Sequence, residues 1–108
     1  MFFVLSEGNK KDINDIIGKH KCVCLYHWNM CGYCQALMPT WNRLCKKYMN
    51  DKNVIIINIE LNEKPLLKAN YRKDINGFPT IIKYDKGKRI DEFNNKREFK
   101  ELNDFVKS

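Results

Sequence analysis

The sequence lacks any apolar run of about 20 residues, which is what a membrane-spanning helix requires. Its apolar start, residues 1–5, ends at Ser6 without a basic leader, so it does not have the pattern of a secretory signal peptide. The final residues, 104–108, carry no retention signal, and no repeat or low-complexity segment occurs. These absences predict a cytoplasmic protein that does not associate with membranes and whose residues 1–108 form one domain.

Acidic residues are the scarcer charged class, with 13 Asp and Glu against 20 Lys and Arg and a net charge of +7. The basic excess lies in scattered pairs such as Lys10-Lys11 and Lys46-Lys47, which is typical of a solvated surface. Because no nucleic-acid-binding motif accompanies the charge, we expect no nucleic-acid partner. A preference for acidic protein partners is the milder interpretation.

Five cysteines are present, and two of them form the segment Cys31-Gly32-Tyr33-Cys34. In the cytoplasm, cysteines at this spacing indicate redox or metal chemistry rather than a framework of structural disulfides. If the pair opens a helix, unpaired backbone N–H groups and the helix dipole favour the thiolate of the first cysteine. The thiolate is the form that attacks disulfides.

Apolar periodicity predicts strands over residues 2–5, 22–27, 54–59, 78–84 and 89–93. It predicts helices over residues 9–18, 34–48, 62–71 and 96–107. The early alternation favours parallel strands joined by crossovers, and a turn at residues 85–88 adds antiparallel strands. The predicted class is therefore α/β, with a central mixed sheet of about five strands and about four helices on both of its faces.

Four residues are expected to shape these helices. Asn9 would cap the first helix and Gly18 would end it. Pro39 would kink the second helix, and Pro65 would lie in the first turn of the third.

Three motifs in this order resemble the thioredoxin family over essentially the whole chain. They are Trp28-x-x-Cys31-Gly32-Tyr33-Cys34 between a strand and a helix, Pro39 in that helix, and Gly77-Phe78-Pro79-Thr80 before the hairpin. The resemblance implies the thioredoxin fold, with a cis peptide bond at Pro79 and this proline facing the two cysteines. It also implies a thiol–disulfide oxidoreductase that serves cell redox homeostasis and electron transport.

The resemblance assigns roles to the site residues. Cys31 would be the exposed nucleophile that forms a mixed disulfide with the substrate, and Cys34 would resolve it. Substrate binding would fall to an apolar rim and its neighbours, namely Trp28, Met30, Gly32, Tyr33, Phe78 and Thr80. The alternative for the apolar residues is ordinary core packing, which we expect at least for Trp28.

Four positions depart from the family pattern: Leu25 in place of a buried acid, Ile56 near a common lysine, Met30 in place of a tryptophan, and Asn95 near a glycine. The missing acid leaves open how Cys34 loses its proton. His27 is a candidate proton carrier, because imidazole transfers protons near neutral pH. The alternative is that His27 only fills a position that is normally aromatic.

The other three cysteines, Cys22, Cys24 and Cys45, are expected to be core residues. A metal site built from cysteines and histidines is the competing interpretation. Zinc ligands must converge tetrahedrally, whereas a strand directs Cys22 and Cys24 away from the start of the helix. We therefore expect no bound metal or cofactor.

The sequence thus favours a cytoplasmic disulfide reductase for protein substrates, supplied with electrons from NADPH by a thioredoxin reductase or another thiol relay protein. A protein disulfide oxidase or isomerase is the first alternative, because the Gly-Tyr dipeptide between the cysteines does not fix the direction of electron flow. An interaction module that merely uses the same fold is the second alternative. Retention of both cysteines and of Pro79 argues against it.

Overall fold

A computed structural model describes residues 1–108. The chain forms five strands and four helices, which alternate except where two strands follow one another before the last helix. In chain order these are β1 (Phe2–Val4), α1 (Lys10–Lys19), β2 (Lys21–His27), α2 (Gly32–Lys47), β3 (Ile56–Glu60), α3 (Ala69–Arg72), β4 (Thr80–Asp85), β5 (Lys88–Glu92) and α4 (Phe99–Lys107). Single 3-10 turns precede α1 and α3, at Glu7–Asn9 and Lys64–Leu66. None of the helices combines the length and apolarity needed to cross a membrane.

The strands form one mixed sheet in the order β1-β3-β2-β4-β5. Strands β1, β3 and β2 run parallel, and the hairpin of β4 and β5 adds two antiparallel strands beside β2. The central strands β2 and β3 are buried almost throughout, as their unbroken apolar runs predicted. The predicted α/β class and mixed sheet are confirmed.

Side-chain alternation along β2 divides the core into two layers. Cys22, Cys24 and Tyr26 face α1 and α3, where they pack with a cluster that includes Ile13 of α1. Val23 and Leu25 face α2 and α4 in a second cluster. Helices therefore cover both faces of the sheet, with α2 on the same side as Leu25.

A buried hydrogen bond ties α2 to the centre of the sheet. The indole Nε1 of Trp41 donates to Oδ1 of Asn58 on β3 at 2.8 Å, and Trp41 is fully buried. Since a buried amide without a partner is costly, this bond fixes the position of the helix that carries the cysteine pair.

The predicted helix over residues 62–71 is wrong, because the structure divides it into a 3-10 turn and the short helix α3. Leu67 between them is extended, with φ −80° and ψ 152°. The buried side chain of Asn14 holds this break, since it donates to the Leu66 carbonyl at 3.1 Å and accepts from the Lys68 N–H at 2.8 Å. A tertiary contact therefore overrides the local helix preference.

Two helix ends also differ from the prediction. Gly18 does not end α1, which continues to Lys19. Asn9 precedes α1 but does not cap it, because its side chain binds the Val4 carbonyl at 2.9 Å and the Ser6 N–H at 2.8 Å. Helix α4 begins three residues later than predicted, at Phe99 instead of position 96.

The strand boundaries shift as well. Val54 and Ile55 lie before β3, and Phe78 and Pro79 lie before β4. The tight turn at residues 86–87 is as expected, with positive φ at Lys86 (51°) and Gly87 (81°). Strand β5 forms one edge of the sheet, and all five of its residues are exposed.

Candidate active site

The cysteine pair lies where β2 gives way to α2. Cys31 is the N-cap residue, with an extended backbone, and Gly32 is the first residue of α2. A Cβ placed on Gly32 would meet no heavy atom within 4 Å, so the space beside the pair is open. The pair therefore stands at the N-terminus of a helix 16 residues long, as the sequence predicted.

Cys31 is the more accessible of the two cysteines, which are both free thiols. Its Sγ donates to the Phe78 carbonyl at 3.5 Å. The pKa of the Cys31 thiol is lowered, chiefly by the backbone N–H of Cys34 and further by the Cys34 thiol, the Tyr33 N–H and the charge of Arg97. These groups outweigh the smaller, opposing effect of desolvation.

Cys34 has the opposite character. Its side chain is buried, and this burial raises the pKa of its thiol to about 11, despite a 3.5 Å hydrogen bond that Sγ accepts from the Trp28 N–H. At neutral pH, Cys34 therefore holds its proton while Cys31 is more readily ionised. The two thiols thus differ in ionisation, with the thiolate favoured at Cys31 and the protonated thiol at Cys34.

Pro79 follows a cis peptide bond, as the resemblance implied. The Phe78 carbonyl that precedes it is the group that binds Cys31, so the Pro79 loop lies against the reactive sulfur. Thr80 begins β4, and its hydroxyl donates to the Gly77 carbonyl at 2.7 Å, which closes the loop. The structure thus brings Cys31, Cys34 and Pro79 together.

Apolar side chains surround this site at the surface. Met30 is 75% exposed, Tyr33 is 72% exposed, and Phe78 is half-buried against the α1-side cluster. Trp28 is 39% exposed, so the expectation that it packs in the core is wrong. The cause is its position: Trp28 follows the last residue of β2 and lies outside the sheet.

Leu25 is fully buried in β2, two residues before this strand ends and the chain continues to the cysteine pair. Its cross-strand neighbours are Asn58 on β3 and Ile81 on β4, and neither of them can ionise. Ile56 pairs instead with Val23. His27, also buried, pairs with Glu60 at the carboxyl ends of the two parallel strands.

Cys22, Cys24 and Cys45 are buried core residues, which confirms the expectation. Cys22 and Cys24 lie on the α1 side of the sheet, opposite the side that carries α2. No group of three or more His, Cys, Asp or Glu side chains is arranged to hold a metal ion.

Arg97 is a site residue that the sequence analysis missed. It lies between β5 and α4, with its guanidinium carbon 6.0 Å from the centre of the Tyr33 ring, and its charge lowers the pKa of both active-site cysteines. No local pattern marks it, because it is one of many basic residues and lies more than 60 positions from the pair in sequence. Only the fold brings it there.

We expect Arg97→Gln to raise the pKa of the Cys31 thiol, because a positive charge that favours the thiolate is removed. The pH dependence of alkylation of the reduced protein by iodoacetamide measures this pKa. Lys96→Gln removes the same charge from the adjacent position and is expected to leave the profile almost unchanged. An equal shift in both variants would attribute the effect to net charge instead of to the position of Arg97.

This arrangement defines a class of protein: an α/β dithiol protein with its cysteine pair at a helix N-terminus, opposite a cis-proline loop. The sequence profile described as Thioredoxin matches residues 4–108. The chain belongs to the thioredoxin family.

Individual relatives agree with this assignment. The chain is 35% identical over 78 residues to "Protein disulfide isomerase-like 2-1" of Oryza sativa, covering 71% of this chain and 20% of that one. It is 27% identical over 100 residues to "Bloodstream-specific protein 2" of Trypanosoma brucei brucei, covering 92% and 19%. Among solved structures, the J-Trx1 fragment of ERdj5 superposes with a TM-score of 0.77 at 17% identity, covering 96% and 49%. The chain thus spans about a fifth of the length of these two curated relatives.

Proposed function

We propose that this chain exchanges dithiol and disulfide with protein substrates, with Cys31 as nucleophile and Cys34 as resolving cysteine. The observation that carries the proposal is the opposite shift of the two thiol pKa values at one helix N-terminus. The accessible sulfur is the one that is favoured as thiolate, and the buried sulfur keeps its proton until it is needed.

The reaction has two steps. The Cys31 thiolate attacks one sulfur of a substrate disulfide, so that a Cys31–substrate bond forms and the substrate's other sulfur leaves as a thiolate. Cys34 then loses its proton and attacks Cys31, which releases the second substrate thiolate and leaves the Cys31–Cys34 disulfide. The substrate is reduced by two electrons and the pair is oxidised by two. The reverse sequence donates the disulfide.

The substrate segment would lie across the surface around the pair. Pro79 and Thr80 would support its backbone, and Gly32 leaves open space beside the sulfur. The exposed rings and thioether of Trp28, Met30 and Tyr33, with Phe78 at the loop, would contact its apolar side chains. An extended or unfolded protein segment has the apolar groups that such a rim can bury.

His27 would accept the proton of Cys34 in the second step. Burial lowers the pKa of the His27 imidazole, so the neutral form that can accept a proton prevails at neutral pH.

Two observations favour disulfide donation and isomerisation over disulfide reduction. Several relatives bear the name protein disulfide isomerase, including that of Saccharomyces cerevisiae, 28% identical over 110 residues. Stabilising the Cys31 thiolate stabilises the reduced pair, which makes the disulfide more oxidising. The alternative function is that of a cytoplasmic reductase that receives electrons from NADPH through a thioredoxin reductase. This alternative requires that the protein be located in the cytoplasm.

The reduction potential of the Cys31–Cys34 pair distinguishes the two directions. We expect about −180 to −210 mV, the range of an isomerase and of an oxidising folding compartment. Equilibration with glutathione buffers followed by thiol trapping and mass spectrometry gives the value. A potential near about −270 mV would instead support the reductase. Absence of any two-electron transition would overturn both proposals.

A further inference from the structure

We propose that Glu60 is a positioning residue for His27, and that this carboxylate–imidazole pair serves the resolving step in place of an acid at the position of Leu25. The inference rests on the proposed function, because it concerns how Cys34 loses its proton. It adds a residue that the sequence analysis did not single out.

The residues that pair with Leu25 across the sheet offer no replacement for an acid. Leu25 faces the side of the sheet that carries α2, and its two cross-strand neighbours are Asn58 and Ile81. The amide of Asn58 is already occupied, since its Oδ1 accepts from the Trp41 indole. A proton acceptor for Cys34 must therefore come from another cross-strand pair.

The next cross-strand pair on this face of the sheet, nearer the start of α2, consists of two ionisable residues. His27 and Glu60 are directly paired across the parallel strands β2 and β3. His27 is two residues after Leu25, and Glu60 is two residues after Asn58, so all four side chains share the α2 face of the sheet. The imidazole and the carboxylate are thus neighbours on the side where Cys34 lies.

A backbone hydrogen bond places His27 close to the buried sulfur of Cys34. Cys34 Sγ accepts the Trp28 N–H at 3.5 Å, and that nitrogen is bonded to the carbonyl carbon of His27. With standard bond lengths, the Cα of His27 is at most about 6 Å from Cys34 Sγ. A direct transfer, or one through a single water, lies within the reach of an imidazole at that distance.

Glu60 is held in place by two backbone donors. Its Oε2 accepts the Asn29 N–H at 3.0 Å and its Oε1 accepts the Asn62 N–H at 2.7 Å. Desolvation opposes ionisation of Glu60, but these N–H groups and His27 outweigh it, and its pKa is lowered. The carboxylate is therefore charged and fixed beside His27.

The charged and titratable groups around His27 act on different steps. Glu60 from β3 raises the pKa of the imidazole, against the larger lowering by burial. Cys34 and Cys31 come from the start of α2, and Arg97, ahead of α4, acts on both cysteines. In the mixed disulfide Cys31 has no proton, and burial, the largest cause of the raised Cys34 pKa, still acts on the Cys34 thiol. Burial holds the pKa of the His27 imidazole below its ordinary value, so His27 is the group of this set that is a neutral base at neutral pH.

The Cys34 S–H bond breaks and its proton passes to the neutral His27 imidazole, while the Cys34 sulfur attacks Cys31. The bond between Cys31 and the substrate sulfur breaks, and the substrate leaves as a thiolate. The adjacent negative charge of Glu60 stabilises the imidazolium. The imidazolium later returns its proton to solvent.

The test follows the resolving step with a symmetric aromatic disulfide whose thiolate is coloured. Reaction with Cys31 releases one thiolate, and attack by Cys34 releases the second, so stopped-flow absorbance separates the two steps. The rate of the second release should rise with pH as His27 loses its proton. We expect Glu60→Gln to move this rise to lower pH and to lower the plateau by about threefold to tenfold, because the imidazole becomes a weaker base.

Three further variants isolate the role of Glu60. Glu60→Asp keeps the charge and is expected to retain the wild-type midpoint of the pH profile. Glu63→Gln removes the same charge three residues away and should leave the profile unchanged. In a His27→Phe background, which should lose the rise and slow the second release by about tenfold or more, Glu60→Gln should have no further effect.

The outcomes separate the two proposals. If the second release occurs but its pH profile is the same in Glu60→Gln and wild type, the role of Glu60 is refuted and the proposed function stands. If Glu60→Gln slowed the second release equally in the wild-type and His27→Phe backgrounds, the role of Glu60 would also be refuted. Glu60 would then act structurally, through its hydrogen bond with the Asn29 N–H. If no second release occurs in the wild type, the proposed function itself fails. Far-UV circular dichroism confirms that each variant is folded.

Discussion

Replacing Cys34 with serine is expected to stop the reaction halfway, with Cys31 covalently joined to its substrate protein. The Cys31 thiolate is still stabilised by the backbone N–H groups of the helix start, so the first attack proceeds. No second sulfur is then available to release the substrate. A mixed disulfide should accumulate, visible on non-reducing gels and removed by dithiothreitol. Turnover of a protein disulfide should fall by at least about 10³-fold.

Cys31→Ser supplies the matched control, because it removes the nucleophile and keeps the buried thiol. This variant should form no mixed disulfide, since Cys34 is buried and its pKa of about 11 leaves it protonated. Trapping through Cys34 in Cys31→Ser would reverse the assigned roles. If both serine variants kept full cellular function, the chain would act as an interaction module and its chemistry would be incidental.

Replacing Trp41 with alanine is expected to produce the largest loss of stability. The side chain is fully buried in α2, and its removal leaves a cavity and an unpaired Asn58 oxygen. The free energy of unfolding should fall by about 3–5 kcal/mol for the lost packing. The unpaired Asn58 amide adds about 1–3 kcal/mol. Urea denaturation followed by circular dichroism measures the sum.

Trp41→Phe separates the two contributions, because it keeps most of the buried aromatic volume and removes the N–H that binds Asn58. It should cost about 1–3 kcal/mol. Asn42→Ala, at the exposed next position of α2, should change stability by no more than about 0.5 kcal/mol. A Trp41→Ala variant as stable as Asn42→Ala would mean that this hydrogen bond and its packing do not hold α2 on the sheet.

The architecture was predictable from the sequence wherever a local pattern was sufficient. The β-branched run of β3 and the Asp85–Lys88 turn each specify their element through nearby residues alone. The break at Leu67 was not predictable, because it depends on the Asn14 side chain, more than 50 positions earlier in the sequence. Helix preference in that segment is weak enough for two tertiary hydrogen bonds to override it.

The site was predictable to the same extent. Cys31, Cys34 and Pro79 lie in recognisable motifs, and the fold brings them together. Arg97 and Glu60 have no motif, since their importance arises from strand register and from the path of the chain before α4. Trp28 was misjudged because a tryptophan beside an apolar strand favours burial, whereas the strand ends one residue before it.

The exposed edge strand β5 has a consequence for the protein at high concentration. Two basic residues, Lys88 and Arg89, are followed after Ile90 by two acidic ones, Asp91 and Glu92. Charged side chains on an open edge disfavour the addition of a foreign strand, and the opposite edge, β1, is only three residues long. In the proposed function, which brings unfolded chains close to this sheet, the domain thus resists becoming a template for their aggregation.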